Sequence, residues 1–517
     1  MHHKSLSLKT AFAAIIVCTG IFLAGCGQEK PAGEEQPGLG RRLDVRSFGA
    51  RGNGKADDSK AIQAVIDEAA PGDTVYLPKG DYLVRTLRLA PNVHFVAEGV
   101  LRQPKALSDS FSVEKQHSDA PLFRAHRVSN IYLSFRAETV NEAIYASQCS
   151  NITIANSHIA GDSTNRRSFP GILWYSCSAC RVVGSTVSYY GIARKSAKSY
   201  NPGTAIRVLS SRGVTVSGNE LHHNGENGIF VHDSGDIEID GNYIHHNGMS
   251  GIQVAFNSAE LVTNYRITNN RLEYNAADAI DINNRAHGVV MPVRALIAGN
   301  YSWKNGFVSG ESTPDGSGIG TLIGISDVTL SGNRAFGNNR PALYVEGCGT
   351  ITANRNLTDG AFELVGRWDS IRMEGNTFPT LRLLANADGR VLHLKTNRVT
   401  RALLPNDIRI DSLLLEENEI ESGPVNINME GNLRFEGNTL ISGHDAGALL
   451  LVKVGSAFLK GNRITNKKNA AIAIGKTAHQ VVIDSNFVSS GGAALHDAGS
   501  PGLQLTRNAL DEQVTQP

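Results

Sequence analysis

The 517-residue chain is predicted to be all-β, wound as a single-stranded right-handed parallel β-helix (a solenoid) with a capping helix at its N-terminal end. Three observations predict this fold. Strand-like phrases recur from about residue 120, an Asn recurs with them, and no helical segments alternate with the strands. Phrases such as AIRVLSSRGVTVSGNEL (205–221) and GIFVHDSGDIEIDGNYI (228–244) each hold two runs of four to six residues joined by a polar kink. Apolar and polar residues alternate within a run and β-branched residues are enriched, which is the signature of strands. Without crossover helices, each strand has to stack on its equivalent one coil away.

The Asn that usually follows the second run forms a row. It reads Asn156, Ser185, Asn219, Asn242, Asn270, Asn300, Asn333, Asn356, Asn376, Asn397, Asn418, Asn438, Asn462, Asn486, Asn508. Composition alone does not give fourteen Asn and one Ser in fifteen rungs. Stacked in a tight turn, Asn side chains pass amide hydrogen bonds from rung to rung and satisfy polar atoms that would otherwise be buried alone. At ~4.8 Å per rung the row extends ~70 Å. His222-His223 and His245-His246 fall at the same turn of neighbouring coils and read as stacked turn residues rather than as metal ligands.

Composition excludes some classes. With 41% hydrophobic and 19% charged residues the chain is too apolar and too balanced for a disordered protein. Lys+Arg 50 against Asp+Glu 49 leaves no general nucleic-acid footprint, so no nucleic-acid partner is expected. Cys149, Cys177, Cys180 and Cys348 show no regular disulfide spacing, and CSAC (177–180) lacks the second Cys pair of a zinc site. Lys4 and Lys9 flank the start of an apolar run, 10–22, too short for an ordinary membrane span. The run ends in Leu23-Ala24-Gly25-Cys26, which resembles the bacterial lipobox. That resemblance implies a signal peptide over 1–25, lipidation of Cys26 and, because Gly27 is not Asp, an outer-membrane destination. Residues 26–42 are rich in Gly, Pro and charge and read as a flexible tether, so a monomer held at a membrane by acyl chains is expected.

Residues 43–67 (LDVRSFGARGNGKADDSKAIQAVID) and 72–82 (GDTVYLPKGDY) look like the opening of pectate-lyase-superfamily proteins, which polygalacturonase-like enzymes share. The resemblance implies the β-helix fold over nearly all of the mature chain and a structural role for Asp57 and Asp58. The residues agree: Asp58 or Ser59 caps a helix whose apolar face is Ile62, Val65, Ile66 and Ala69, able to cover the open solenoid end. The β-helix domain is placed at 43–510. Within it 43–110 holds the cap and first coils, 120–340 the loop-bearing coils and 341–510 lean coils, with a tail at 511–517.

Intervals along the Asn row run from 23 to 34 residues up to Asn333 and from 20 to 24 after it. Extra residues in a solenoid become loops on one face, commonly the binding face. The inserts are 161–169, 191–202, 284–294 and 306–316. Arg166, Arg167, Arg194, Lys195, Lys198, Arg285 and Arg294 make them basic, and Tyr189, Tyr190 and Tyr200 offer flat surfaces for sugar rings. Aligning the small-residue–Ile phrases gives a first outward row of Tyr145, Leu173, Arg207, Phe230, Gln253, Asp281, Gly320, Tyr344. The second row is Ser147, Tyr175, Leu209, His232, Ala255, Asn283, Leu322, Glu346. The same alignment lays Cys149 over Cys177.

This constellation suits an acidic polysaccharide. Removing the proton beside a uronate carboxylate takes a cation to neutralise the carboxylate, a base, and an acid. Arg207 or Arg285 supplies the charge, His232 the base and Tyr175 a proton donor or acceptor. Asp281, with Asn283 or Asp233, orients His232 or holds Ca²⁺; no cofactor is required. Gln253, Asn283, Arg285, Arg194, Lys195, Lys198, Arg166 and Arg167 line the cleft as substrate contacts. The expected reaction is β-elimination or C5-epimerisation. The rivals are an inverting hydrolase, with Asp233 and Asp281 as its carboxylates, and a non-catalytic binding or adhesion module. The Asn-Thr-Asp, double-Asp and Gly-His-Gly motifs of polygalacturonase-like hydrolases are missing from the repeat. Val231-His232-Asp233 keeps only half of the Asp-Pro-His-Asp of mannuronan epimerases of this fold.

Overall fold

A computed structural model describes residues 40–192, 201–257, 263–284, 286, 288–384, 386–445, 447–511 and 514–515. The small-residue–Ile phrase opens each loop-bearing coil because its Ile points inward: Ile144, Ile172, Ile206, Ile229, Ile252 and Ile280 are all fully buried. Each contributes roughly 1.5–3 kcal/mol of apolar burial, and together they form one column of a continuous core. These strands (Ile144–Ser147, Ile172–Tyr175, Ile206–Leu209, Ile229–His232, Ile252–Phe256, Ile280–Asn284) stack in parallel register as the first sheet.

A second sheet (Ser150–Ala155, Arg181–Val183, Arg212–Ser217, Gly235–Asp240) follows after a corner. Each coil also carries a third, short strand that the two-run reading did not separate (His158–Ala160, Thr186–Ser188, Glu220–His222, Tyr243–His245). Three residues are too few for alternation to register, so this sheet was read as turn. In the described residues fifty strands join into one hydrogen-bonded system, and its named pairings are parallel throughout.

The Asn row is a hydrogen-bonded ladder. Asn219 donates from its backbone N (3.0 Å) and its Nδ2 (2.9 Å) to Asn242 Oδ1, while Nδ2 also reaches Val182 O at 2.9 Å. The pattern repeats to Asn508, the last acceptor. Its first members are Ser157 and Ser185, whose hydroxyls accept from Phe135 N and Ser157 N. Asn156 is therefore one position out of row. It fills the left-handed kink (φ +48°) that Gly184, Gly218 and Gly241 fill in later coils, a conformation Asn shares with Gly. A second ladder, not recognised from sequence, runs Asn224, Asn247, Asn275, Asn305, Asn338 after the third strand, with Nδ2–Oδ1 distances of 2.9–3.0 Å.

The capping helix spans Ser59–Glu68 and buries Ile62, Val65 and Ile66. Its start differs from expectation. Asp57, not Asp58, bonds the Ser59 backbone N and Oγ, and Asp58 turns back to accept from Arg51 N and Gly52 N.

The ladder accounts for two donors at every corner, so its loss is directly measurable. Asn333→Ala removes the acceptor of Asn300 N and one of the two acceptors of Asn300 Nδ2, which keeps Ile267 O, and should lower unfolding free energy by about 1–3 kcal/mol. Lys60→Ala, at an exposed position of the capping helix, should stay within about 0.5 kcal/mol in the same denaturant titration. Equal effects at both sites would show that the ladder carries no special stability.

Candidate active site

Strand register sets the outward columns of the first sheet. Arg124, Tyr145, Leu173, Arg207, Phe230, Gln253, Asp281, Thr321 and Tyr344 align in one. His126, Ser147, Tyr175, Leu209, His232, Ala255, Asn283, Ile323 and Glu346 align in the other. Thr321 and Ile323 replace the expected Gly320 and Leu322. The coil at 320 lacks the small-Ile pair in its usual place, so the sequence alignment slipped by one residue, which reverses the face of each side chain.

Arg207 is 6% exposed, and its charge is already matched. Nη2 donates to Glu226 Oε2 at 2.7 Å, which also accepts from Thr204 Oγ1 at 2.6 Å, and Nη1 reaches Gln116 Oε1 at 3.3 Å. Phe111 and Phe230 each lie 5.1 Å from the guanidinium carbon. Phe111 and Gln116 belong to residues 104–120, of which the sequence reading placed only 104–110 in the cap and first coils. It crosses the first sheet, stacks His117 on Tyr145 (4.2 Å, 15°), and is tied to the 161–169 insert by Phe111 N donating to Arg167 O.

Beyond Arg207 a buried polar chain runs along the first column. Asn227 Nδ2 donates to Gln253 Oε1 (3.1 Å), and Gln253 Nε2 to Asp281 Oδ2 (2.9 Å), which also accepts from Asn283 Nδ2 (3.0 Å). Asp281 Oδ1 and Asn283 Oδ1 are buried without a hydrogen-bond partner. Behind Asp281, Asp278 accepts from Gly316 N, Ser317 N and Thr321 Oγ1. Burial first, and the neighbouring Asp278 charge second, push the Asp281 carboxyl up to about 7. Burial likewise raises Asp278.

His232 stands in the second column, 27% exposed at its side chain, with Nδ1 3.3 Å from Asp233 Oδ2. One coil on, its neighbour is Ala255, and two coils on it is Asn283. The drop in side-chain size at Ala255, itself 3% exposed, is the notch between His232 and the Asp281–Asn283 pair, whose coil lies roughly 10 Å away at two rungs. Tyr175, 46% exposed, is two rungs from His232 on the other side with Leu209 between.

The structure therefore gathers His232, Gln253, Asp281 and Asn283 around one notch and sets Arg207 and Tyr175 beside it. Arg166 and Arg167 are exposed on the 161–169 insert, with Arg167 Nε bonded to Phe111 O. Arg194, Lys195, Lys198, Tyr200 and Arg285 lie outside the described residues, as do Cys26 and the whole N-terminal address. Tyr190 offers no surface: it is fully buried, with Oη 2.7 Å from Thr139 Oγ1, because the residue after the left-handed turn points inward. Tyr189 is exposed but belongs to the third sheet's corner, stacked on His223. Cys149, Cys177, Cys180 and Cys348 are buried free thiols.

Sequence reading missed Glu226, Gln116 and Asn227, and took Asp278 only as a carboxylate on the coil of Asp281. A signal for Asn227 and Asp278 was present: the residue before each small-Ile phrase reads Glu142, Pro170, Thr204, Asn227, Ser250, Asp278, and all six are buried. Among the described residues no three His, Cys, Asp or Glu side chains converge as a metal-binding group, and Asp233 and Asp281 lie on coils two rungs apart.

A family model described as "Right handed beta helix region" matches residues 117–292 and 195–378, and one described as "Periplasmic copper-binding protein (NosD)" matches 404–516. The described residues of 404–516 hold no convergent ligand group for copper. The chain is 42% identical over 71 residues to a probable glucan endo-1,3-beta-glucosidase of Arthroderma benhamiae, covering 13% of this chain and 8% of that protein. It is 46% identical over 67 residues to alginate lyase 7 and to mannuronan C5-epimerase AlgE1 of Azotobacter vinelandii. Those matches cover 11% of this chain and 8% and 5% of the two proteins, so the chain spans only a small part of the curated relatives it matches. Among solved structures, the Azotobacter vinelandii mannuronan C-5 epimerase AlgE4 A-module aligns at 16% identity and TM-score 0.33, over 81% of this chain and 96% of that one. DFA-IIIase from Arthrobacter chlorophenolicus A6 aligns at 10% identity and TM-score 0.46, over 71% and 95%. The matched span 117–378 takes in half of the chain and all of the loop-bearing coils around the notch, and the chain belongs to the right-handed parallel β-helix family.

Proposed function

We propose that the chain acts on a uronate-containing polysaccharide laid along the first sheet, removing the C5 proton in β-elimination or C5-epimerisation. One observation carries this reading: a partly exposed His232 held by Asp233 faces, across Ala255, Asn283 and beside it the buried Asp281 carboxyl, whose Oδ1 has no hydrogen-bond partner. Asp233 on Nδ1 leaves Nε2 to take the C5 proton; in elimination the imidazolium passes it to the departing glycosidic oxygen as the C4–O bond breaks, and in epimerisation solvent reprotonates C5 from the other face. The uronate carboxylate needs its charge suppressed before C5 becomes acidic. Arg207 is committed to Glu226, so that task passes to protonated Asp281, whose Oδ1 donates to the carboxylate while Gln253 and Asn283 hold Oδ2. Tyr175, two rungs away, contacts a more distant sugar rather than the reacting one. The carbohydrate-acting relatives support the substrate class. No cofactor enters the steps.

The same reading places the protein outside the cytoplasm, held to a membrane through lipidated Cys26. Cys26→Ser should move it from the membrane fraction to the soluble fraction after export; unchanged membrane association would remove the anchor.

Activity is tested on a panel of polyuronates by absorbance near 235 nm and, in D₂O, by deuterium entry at C5. His232→Gln should lower turnover by about 10²–10⁴-fold with substrate binding retained. New reducing ends without unsaturation would indicate hydrolysis, and binding without turnover across the panel would indicate an adhesion module.

Asp281 gives a pH signature. Its acid form binds the carboxylate, so KM should rise as pH passes through about 7, where the buried carboxyl loses its proton. Asp281→Asn, neutral at every pH, should flatten that limb. A KM limb identical in both proteins would assign the titration elsewhere.

A further inference from the structure

We propose that the paired histidines of the third sheet, His222 with His223 and His245 with His246, form a surface site for a divalent transition cation of the Cu²⁺ or Ni²⁺ kind. His222 Nδ1 lies 2.8 Å from His223 Nδ1, and one coil on His245 Nδ1 lies 2.8 Å from His246 Nδ1. Two nitrogens at about 2.0 Å from an ion and 90° apart are about 2.8 Å from each other, whereas a tetrahedral ion spreads them to about 3.3 Å. Each pair therefore spans one edge of a square-planar site, the geometry that Cu²⁺ and Ni²⁺ favour over Zn²⁺.

The second pair is nearly a translated copy of the first. His222 stacks on His245 at 5.0 Å and 7°, and His223 on His246 at 5.0 Å and 1°. Tyr189 and Tyr274 close the stack at its two ends. The Asn224–Asn247 rung immediately after each pair fixes the backbone that presents it.

A second observation points to ligation. His245 Nε2 is 3.3 Å from Glu220 Oε1, the arrangement in which a carboxylate takes the distal N–H and leaves Nδ1 as a lone pair. In the absence of an ion His246 Nδ1–H donates to that lone pair. On binding, the proton moves to His246 Nε2, both Nδ1 lone pairs face the ion, and no proton is released. Because no three ligating side chains converge among the described residues, each ion takes two protein nitrogens and solvent completes its coordination. The site is on a different sheet from His232 and stands apart from the proposed activity.

The full chain is titrated with Cu²⁺ alone, followed by calorimetry and electron paramagnetic resonance. Superhyperfine and echo-modulation signals from two imidazole nitrogens per ion are expected. Affinity should fall at least tenfold in the His223→Gln/His246→Gln double variant, and stay unchanged in a His479→Gln/His496→Gln variant at two exposed histidines. Unchanged binding in the double variant would overturn the site. So would a wild-type spectrum without paired imidazole nitrogens, which decides the matter even if the double variant does not fold.

Discussion

At the corner after the second strand of every coil, a backbone N–H points along the solenoid axis with no strand to receive it. The side-chain oxygen of the next coil's Asn receives it instead, from Ser185 onto Asn219 and on to Asn508. This contact locks each coil to the next at a fixed residue, and a parallel sheet with one side-chain period per two residues tolerates no slip. Everything outward of the core inherits that lock. His232 faces Ala255 and Asn283, and Arg207 faces Phe230, because the corner residue of each coil cannot move to a neighbouring rung.

The loop-bearing coils add a second lock. The ladder from Asn224 to Asn338 follows the third strand through the loop-bearing coils and reaches the base of the inserts after Tyr190 and Asn305. Loops as long as these, without such an anchor, would leave their entry points mobile. Between the two ladders the first sheet carries an unusual load of buried polar groups: Arg207 with Glu226, Asp281 with Asp278, and Glu142 against Ser118. A charge removed from water costs several kcal/mol unless it is paired or neutralised. Here Arg207 and Glu226 are paired, and three carboxyls, Glu142, Asp278 and Asp281, are pushed toward their neutral acids by burial.

Much of this was legible in sequence. The Asn row and the recurring Ile announced the coil, its register and the swollen half of the chain, because both are repeated constraints. His232, Gln253, Asp281 and Asn283 could be placed together for the same reason. What was not legible depended on single events. The slip at Thr321 arises in one coil without the usual phrase, and Ser157 took the ladder position beside a more conspicuous Asn156. The crossing of residues 104–120 over Arg207, which brings Phe111 and Gln116 to the cleft, is a loop path no periodicity encodes. Nor could pattern reveal that Glu226 holds Arg207, since that pairing joins a loop residue to a strand residue by shape alone.

The central claim is that chemistry takes place in the notch over Ala255. The most direct measurement is a crystal structure of the His232→Gln protein with a bound oligouronate. The account predicts one sugar ring over Ala255, its carboxylate within hydrogen-bond distance of Asp281 Oδ1 and its C5 facing position 232. An oligosaccharide bound along another sheet, or over the first sheet with its carboxylate turned away from Asp281, would contradict it.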